Sequence, residues 1–487
     1  MENPKLKKLH DEWIEEATIK EMQEKLTSGE LTSKELILMY LHRISTINPV
    51  INSVLEVNPD ALQIAAALDV ERKEAGPRSS LHGIPILIKD NIDTKDKMHT
   101  SAGSLALKDS IALRDSYVVE QLRNAGAVIL GKTNMTEWAN FMALGMKNGY
   151  SSRGGQVLNP YGPGKFDVGG SSSGSGSAIA ANLAAAAVGT ETSGSILNPS
   201  CHNSIVGIKP TVGLISRRGI IPIAHTQDTA GSMARTVEDA AILLNALTGR
   251  DEEDPITRTN PFENYDFTKH LVRDGLKGKR IGIAWEGFID PILDDQREVI
   301  LAALDILKSS GAEVIESIEI PSAKSKWKYD VLTYEFKPDL IAYLNGLHPS
   351  VPFRTLEDLI EFNLNNEDTM LKYGQAVLLE SEETSGSLTE EAYFKALEFD
   401  HYHATVKGID FALETYQLDV IVFPGEEGSH ISAKAGYPTI AVPAGYTVDG
   451  EPVGITFAGT AYHEPLLIEA AYGFEQLLPV RKPPVLE

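Results

Sequence analysis

Residues Gly169 to Lys209 read GGSSSGSGSAIAANLAAAAVGTETSGSILNPSCHNSIVGIK. A Gly/Ser tract, Gly169 to Ser177, leads into an alanine-rich run, Ala178 to Val188, and then into the small-residue turn Thr192-Ser193-Gly194-Ser195. The alanine-rich run is the longest apolar stretch in the chain. It is too short to cross a bilayer and it contains Asn182, so it reads as a buried helix. The Gly/Ser tract reads as the entrance to that helix, where serine hydroxyls cap orphan N–H groups. Asn159 to Gly170, rich in Gly and Pro, is loop.

The elements around this stretch alternate. Thr18–Glu21 and Thr32–Glu35 have capping-box spacing, each with helical periodicity behind it, and Gly29 ends the first of these helices. A longer helix is expected over Asn58 to Lys73. Ile84 to Ile88 is a short apolar run of buried-strand type, ending at Lys89. Val118 to Ala125 reads as helix and Ala127 to Leu130 as strand. Glu238 to Leu247 reads as helix, and Asp251 to Asp266 as a polar connector. A strand (Arg280 to Ala284), a helix (Gln296 to Ser309) and a strand (Glu313 to Ile318) follow. Lys324 to Lys407 is amphipathic helix and loop. Strands return at Val420–Val422, Thr439–Val442 and Val453–Phe457, and a helix covers Pro465 to Leu477. Strands alternating with helices imply an α/β layered sheet. There is no internal repeat.

Bulk properties exclude several classes. The net charge of −24, from 44 basic and 68 acidic residues, repels phosphate backbones and anionic lipid. Nucleic acid and membrane are therefore not expected as partners. Apolar content of 42% in 487 residues is enough for an ordinary core without disulfides or metals. A lone cysteine, Cys201, cannot form an intrachain disulfide and suggests a reducing compartment. No His or Cys spacing marks a metal site. Met1 to Trp13 is charged and lacks a signal-peptide core. The expected location is cytoplasmic, export with a removed signal not being excluded.

Two short motif matches fail on context. Gly126-x-x-x-x-Gly131-Lys132-Thr133 has P-loop spelling, but its four central residues, Ala-Val-Ile-Leu, form a strand rather than a phosphate-wrapping loop. Gly170-Ser171-Ser172-Ser173-Gly174 has the spelling of a nucleophile elbow, but a Gly/Pro loop precedes it and no strand does. A Ser–His–Asp esterase centred on Ser172, with His225 or His430 as base, stays as a rival reading.

A third match is far longer. The Gly-Gly-Ser-Ser run, the alanine-rich segment, Gly189-Thr-Glu191 through Gly194-Ser195 and Gly207-Ile-Lys209-Pro-Thr closely resemble the signature of the amidase signature family. His82-Gly-Ile-Pro-Ile-Leu-Ile-Lys89-Asp-Asn, Gly131-Lys-Thr-Asn-Met-Thr-Glu137, Met233-Ala-Arg-Thr-Val237, Ala435-Gly-Tyr-Pro and Val442-Pro-Ala-Gly445 also look like its landmarks. The resemblance runs from about Thr18 to Gln476. It implies an α/β amidase signature fold, a mixed central β-sheet covered on both faces by helices, without cofactor or metal. One domain is expected over 1–487. Its parts are a helical segment (1–75), the signature core (76–250), a variable region setting specificity (251–410), and closing strands and helix (411–487).

The resemblance also implies roles. Ser195 aligns with the acyl-forming nucleophile. Ser171 aligns with a bridging serine that the family holds on a cis peptide, and Lys89 aligns with the base. Chemistry agrees with those residue types. A free serine needs an adjacent base, burial can lower a lysine enough to serve as one, and a second serine can accept one proton while donating another. Backbone N–H groups of Thr192, Ser193, Gly194 and Ser195 suit an oxyanion hole. Thr190, Ser173 and Asn198 are further candidates near the serines.

Many relatives place arginine two residues after the nucleophile, where this chain has Leu197. Lacking that anchor for a carboxylate, the sequence points to neutral small or peptidyl amides. Ser171-Ser-Ser and Glu191-Thr-Ser resemble the family's peptide amidases. Aromatics of the variable region, Tyr329, Tyr334, Phe336 and Tyr343, are candidate substrate contacts. The expected partner is a small-molecule or peptide amide, and the chain is expected to be a monomer or homodimer. The rivals are the glutaminase subunit of a tRNA-dependent amidotransferase, the esterase above, and a binding protein on an amidase scaffold.

Overall fold

A computed structural model describes residues 2–486. Eleven strands form one sheet: β1 (Val54–Val57), β2 (Pro85–Lys89), β3 (Val128–Thr133), β4 (Ala186–Glu191), β5 (Val206–Lys209), β6 (Thr229–Ala234), β7 (Arg280–Ile283), β8 (Glu313–Ile315), β9 (Val420–Pro424), β10 (Thr439–Tyr446) and β11 (Pro452–Ala458). Their order across the sheet is β1-β3-β2-β4-β6-β5-β10-β11-β9-β7-β8. Directions are mixed. β2 runs parallel to β3 and β4, β9 runs parallel to β7, and the centre from β4 to β11 is antiparallel. Helices flank this sheet, as the α/β reading requires. None is long and apolar enough to cross a membrane.

Local signals act as read. Thr18 and Thr32 each complete both halves of a capping box, and Gly29 closes the first of these helices in the left-handed region at φ 74°. The longer helix begins at Ala61 rather than Asn58. Asn58 is taken up in the preceding turn, where its amide donates to Ile129 O at 2.8 Å.

The alanine-rich run is not one helix. The helix covers Ser173–Ala180 and stops, Asn182 takes φ 59°, and Ala186–Glu191 is the central strand β4. A continuous apolar run carries no periodicity to separate helix from strand. Tertiary partners decide it. Asn182 Oδ1 accepts from Glu16 N at 2.8 Å and Arg43 donates to Asn182 O at 2.8 Å, while β4 pairs with β2 and β6. β1, β5 and β6, which periodicity does not reveal, complete the sheet around it. The Ser172 side chain makes no cap bond to the helix it precedes. Its hydroxyl instead donates to Thr190 O at 3.1 Å, stitching the tract to β4.

Glycine in the tract has a steric cause. A Cβ on Gly174 would lie 2.2 Å from Asn134 O and 2.4 Å from Ser53 O, so the helix seats its backbone directly on neighbouring backbone. Gly174→Ala should destabilise by about 1–3 kcal/mol or more, the usual range for overpacking against groups that cannot yield. A fall in the urea midpoint at unchanged slope checks it.

The helices Asp330–Asn345, Leu356–Asn365, Ala376–Glu382 and Glu391–Ala404 build a roof with its own apolar cluster around Phe336, Leu340, Leu356 and Leu359.

Candidate active site

β2 and β4 are parallel neighbours, with Ile88 opposite Val188. Their C-terminal ends therefore lie side by side, a usual place for chemistry in such sheets. That register brings Lys89, the last residue of β2, against Thr190 near the end of β4. Lys89 Nζ donates to Ser171 Oγ at 2.8 Å, to Thr190 O at 3.1 Å and to Thr190 Oγ1 at 3.0 Å. The Gly170–Ser171 peptide is cis. Lys89 and Ser171 are both 0% exposed. Burial pushes the Lys89 ammonium down to about 7, against the opposing pull of the Glu191 and Asp228 carboxylates.

Ser195 enters the group through its backbone, whose carbonyl accepts from Ser172 N at 3.2 Å. Its hydroxyl makes no hydrogen bond among the described residues and lines a cavity of about 510 Å³. Two acids hold the preceding loop. Glu191, driven up by burial, accepts from Ile196 N at 2.7 Å and Leu197 N at 3.1 Å, and also draws on the Gly194 N–H. Asp228 accepts from Thr192 Oγ1 at 2.5 Å, while Gln227 Nε2 donates to Thr192 O at 3.1 Å. Gly194 sits at φ 79°, where a side chain would be strained. Among the described residues the N–H groups of Thr192, Ser193 and Ser195 have no hydrogen-bond acceptor, whereas that of Gly194 leans to Glu191.

The three further candidates separate. Thr190 touches Lys89 directly and is braced by Asn91, whose Nδ2 donates to its Oγ1 at 2.9 Å. Ser173 turns away, its hydroxyl donating to Gly169 O at 2.5 Å. Asn198 accepts from Gly170 N at 2.8 Å and donates to Glu426 at 2.5 Å. Asn91, Glu191, Gln227 and Asp228 escaped the sequence reading. Asn91, two residues beyond Lys89 in Lys-Asp-Asn, and Glu191, within Gly189-Thr-Glu191, each lie in a signature motif, whereas Gln227 and Asp228 carry no local signal.

The rejected motifs stay rejected. Lys132 of the P-loop string is buried in β3, with Nζ on Ile92 O at 2.5 Å and Thr100 Oγ1 at 2.9 Å. Ser172 meets Thr190 rather than a histidine. His225 pairs with Asp339 at 2.9 Å, and the ring of His430 packs edge-on against that of Trp327. His225, Glu335 and Asp339 gather within 4.8 Å. That trio already has partners, since Glu335 also accepts from Thr226 and Tyr393, and it latches the loop before Gln227 to the roof.

Two lobes share Gly170, Ser193, Lys328 and Tyr329 at the nucleophile loop, and a third cavity of about 430 Å³ reaches Thr190, Glu191 and Thr192 and carries Arg114, Arg217 and Arg218. The lobe at Ser195 has an apolar wall of Phe141, Leu144, Met146, Ile223, Leu332 and Val377. The other, also about 510 Å³, is polar. Of the four candidate aromatics only Tyr329 lines these lobes. Phe336 packs on Phe141, Tyr334 on Tyr393, and Tyr343 donates to Asp93 at 2.8 Å. Among the described residues no arginine lines either lobe.

Comparison with known proteins shows the family and the fold. The chain matches the Amidase family over residues 35–468. It is 42% identical to a probable amidase of Arabidopsis thaliana, over 97% of this chain and 92% of that one. The native peptide amidase of Stenotrophomonas maltophilia superposes with a TM-score of 0.91 at 44% identity, covering 96% of this chain and 98% of that one. Similarity extends to one chain of the glutamyl-tRNA(Gln) amidotransferase of Thermoanaerobacter pseudethanolicus, at 33% identity over 94% of this chain and 96% of that one.

Proposed function

The chain belongs to the amidase family and hydrolyses an amide C–N bond; from that premise we propose that it does so through an acyl-Ser195 intermediate, with Ser171 and Lys89 as proton relay, on primary amides that carry no carboxylate beside the amide. The observation that carries this reading is the buried Lys89 donating to Ser171 at the joined ends of β2 and β4.

Neutral Lys89 accepts the proton of Ser171 as Ser171 accepts that of Ser195, and Ser195 Oγ attacks the carbonyl carbon. The ammonium so formed has three N–H donors, and Ser171 Oγ, Thr190 O and Thr190 Oγ1 receive them. The free N–H groups of Thr192, Ser193 and Ser195 face the oxyanion. Ser171 then gives a proton to the leaving nitrogen and is refilled from Lys89. Water repeats the cycle on the acyl-enzyme. The identity to the Stenotrophomonas peptide amidase favours peptide amides as substrates. The lobe lined by Ser195 holds no arginine among the described residues, which argues against a carboxylate arm there.

Ammonia release from neutral, peptidyl and aryl amides, beside glutamine and asparagine, tests this with Ser195→Ala as blank. Release from glutamine alone would move the assignment to the glutaminase of a tRNA-dependent amidotransferase. The relay also fixes a pH dependence. Attack requires neutral Lys89, whose ammonium burial holds at about 7. On a non-titrating amide, kcat/KM should rise about tenfold per pH unit below that point and level off above it. A profile flat through neutrality would contradict Lys89 as base.

A further inference from the structure

The charges lining the polar lobe are unevenly matched. Glu426 accepts from Asn198 and lies 3.7 Å from His202 Nε2, whose basicity burial lowers and that carboxylate raises, the net being upward. Lys434, its side chain 4% exposed, is locked onto Asp400 and Lys328 O. Lys328 faces Asp330 at 3.6 Å. His430 is neutral, since burial pushes it down to about 4. Glu427 is left over. Its carboxyl has no hydrogen bond or ion pair among the described residues, and burial, with Glu426 beside it, pushes it up to about 7. Trp327 lines the same lobe, its ring already 5.8 Å from the Lys434 ammonium and edge-on to His430, as do Ser193, Gly194 and Ser429 next to the nucleophile. A Cβ on Gly194 would lie 3.3 Å from Ser429 Oγ, so the polar wall reaches the catalytic loop itself.

One unmatched carboxyl in a polar lobe is the complement of an ammonium or guanidinium group, whose charge favours the ionised form. The shape fits as well. Ammonia, the leaving group of a primary amide, fills neither lobe, so both receive parts of the acyl group. Two lobes that meet at Gly170 and Ser193, one of them lined by Ser195, suit a carboxamide on a branched carbon, with one apolar arm and one extended arm. We propose that the polar lobe is a cation subsite, in which Glu427 receives an ammonium or guanidinium on the arm that diverges from the apolar one. This rests on the acyl-Ser195 reading and adds a positive group to amides that lack a negative one. The chain's net charge of −24 draws such substrates in.

The test compares β-alanyl-phenylalaninamide with butyryl-phenylalaninamide, which differ only in an ammonium for a methyl at the arm's end. Wild-type kcat/KM should favour the cation by about tenfold, carried by KM, as for a partly desolvated charge pair. Glu427→Gln should bring the ratio close to one while leaving butyryl-phenylalaninamide turnover unchanged. Added salt should erode the wild-type preference and leave the neutral amide unaffected. Equal rates on the two amides in the wild type, which needs no variant, would overturn the subsite. A preference that survives Glu427→Gln would overturn the role of Glu427. Silence toward both would overturn the acyl-Ser195 reading and the subsite with it, a failure distinct from equal turnover.

Discussion

Replacing Lys89 by methionine should lower kcat/KM by about ten-thousand-fold or more, as expected when a relay's base is removed. Methionine keeps an unbranched apolar stem out to Cε in a site that is 0% exposed. What it removes is Nζ, the one atom joined to Ser171 Oγ, Thr190 O and Thr190 Oγ1. Thr190 Oγ1 still accepts from Asn91, so the local frame persists. Stability should change little, because a buried cation whose desolvation cost offsets much of its bonding is exchanged for an apolar group. Ammonia release paired with urea unfolding separates lost chemistry from lost fold. An active Lys89→Met protein would place the base elsewhere, as the Ser172-centred esterase reading demands.

Ser195→Ala should abolish turnover, with kcat down by about a hundred-thousand-fold or more. The change deletes one oxygen that makes no hydrogen bond among the described residues. Every backbone N–H of the loop stays, as do the carboxylates of Glu191 and Asp228 that hold it. Ground-state binding should therefore survive. A slow amide should protect the variant against thermal unfolding as well as it protects the wild type. Loss of binding together with turnover would make Ser195 a structural residue of the loop.

How much of this was legible in the sequence differs from element to element. Capping boxes at Thr18 and Thr32 are local, so their helices follow from the residues alone. Lys89 at the end of an apolar strand, and the serines of the long signature, were likewise recoverable, since ordered motifs carry their own spacing. The division of the alanine-rich run was not. Alanine favours helix, yet β4 is strand because β2 and β6 flank it, partners about 100 residues before and 40 after. Asp228 was also out of reach. An acid 33 residues beyond the nucleophile announces nothing until β6 returns antiparallel beside β4 and delivers it to Thr192. Ser173 acts at one remove, its hydroxyl holding Gly169 O two residues before Ser171 rather than meeting either serine hydroxyl.

The central claim is that Ser195 carries the acyl group. Its most direct test is intact-mass analysis and peptide mapping after reaction with a serine-directed phosphonate. One adduct per chain, located on Ser195, absent from Ser195→Ala and slowed sharply in Lys89→Met, is the predicted result. An adduct on Ser172, or an enzyme that releases ammonia normally while Ser195 stays unmodified, would contradict it.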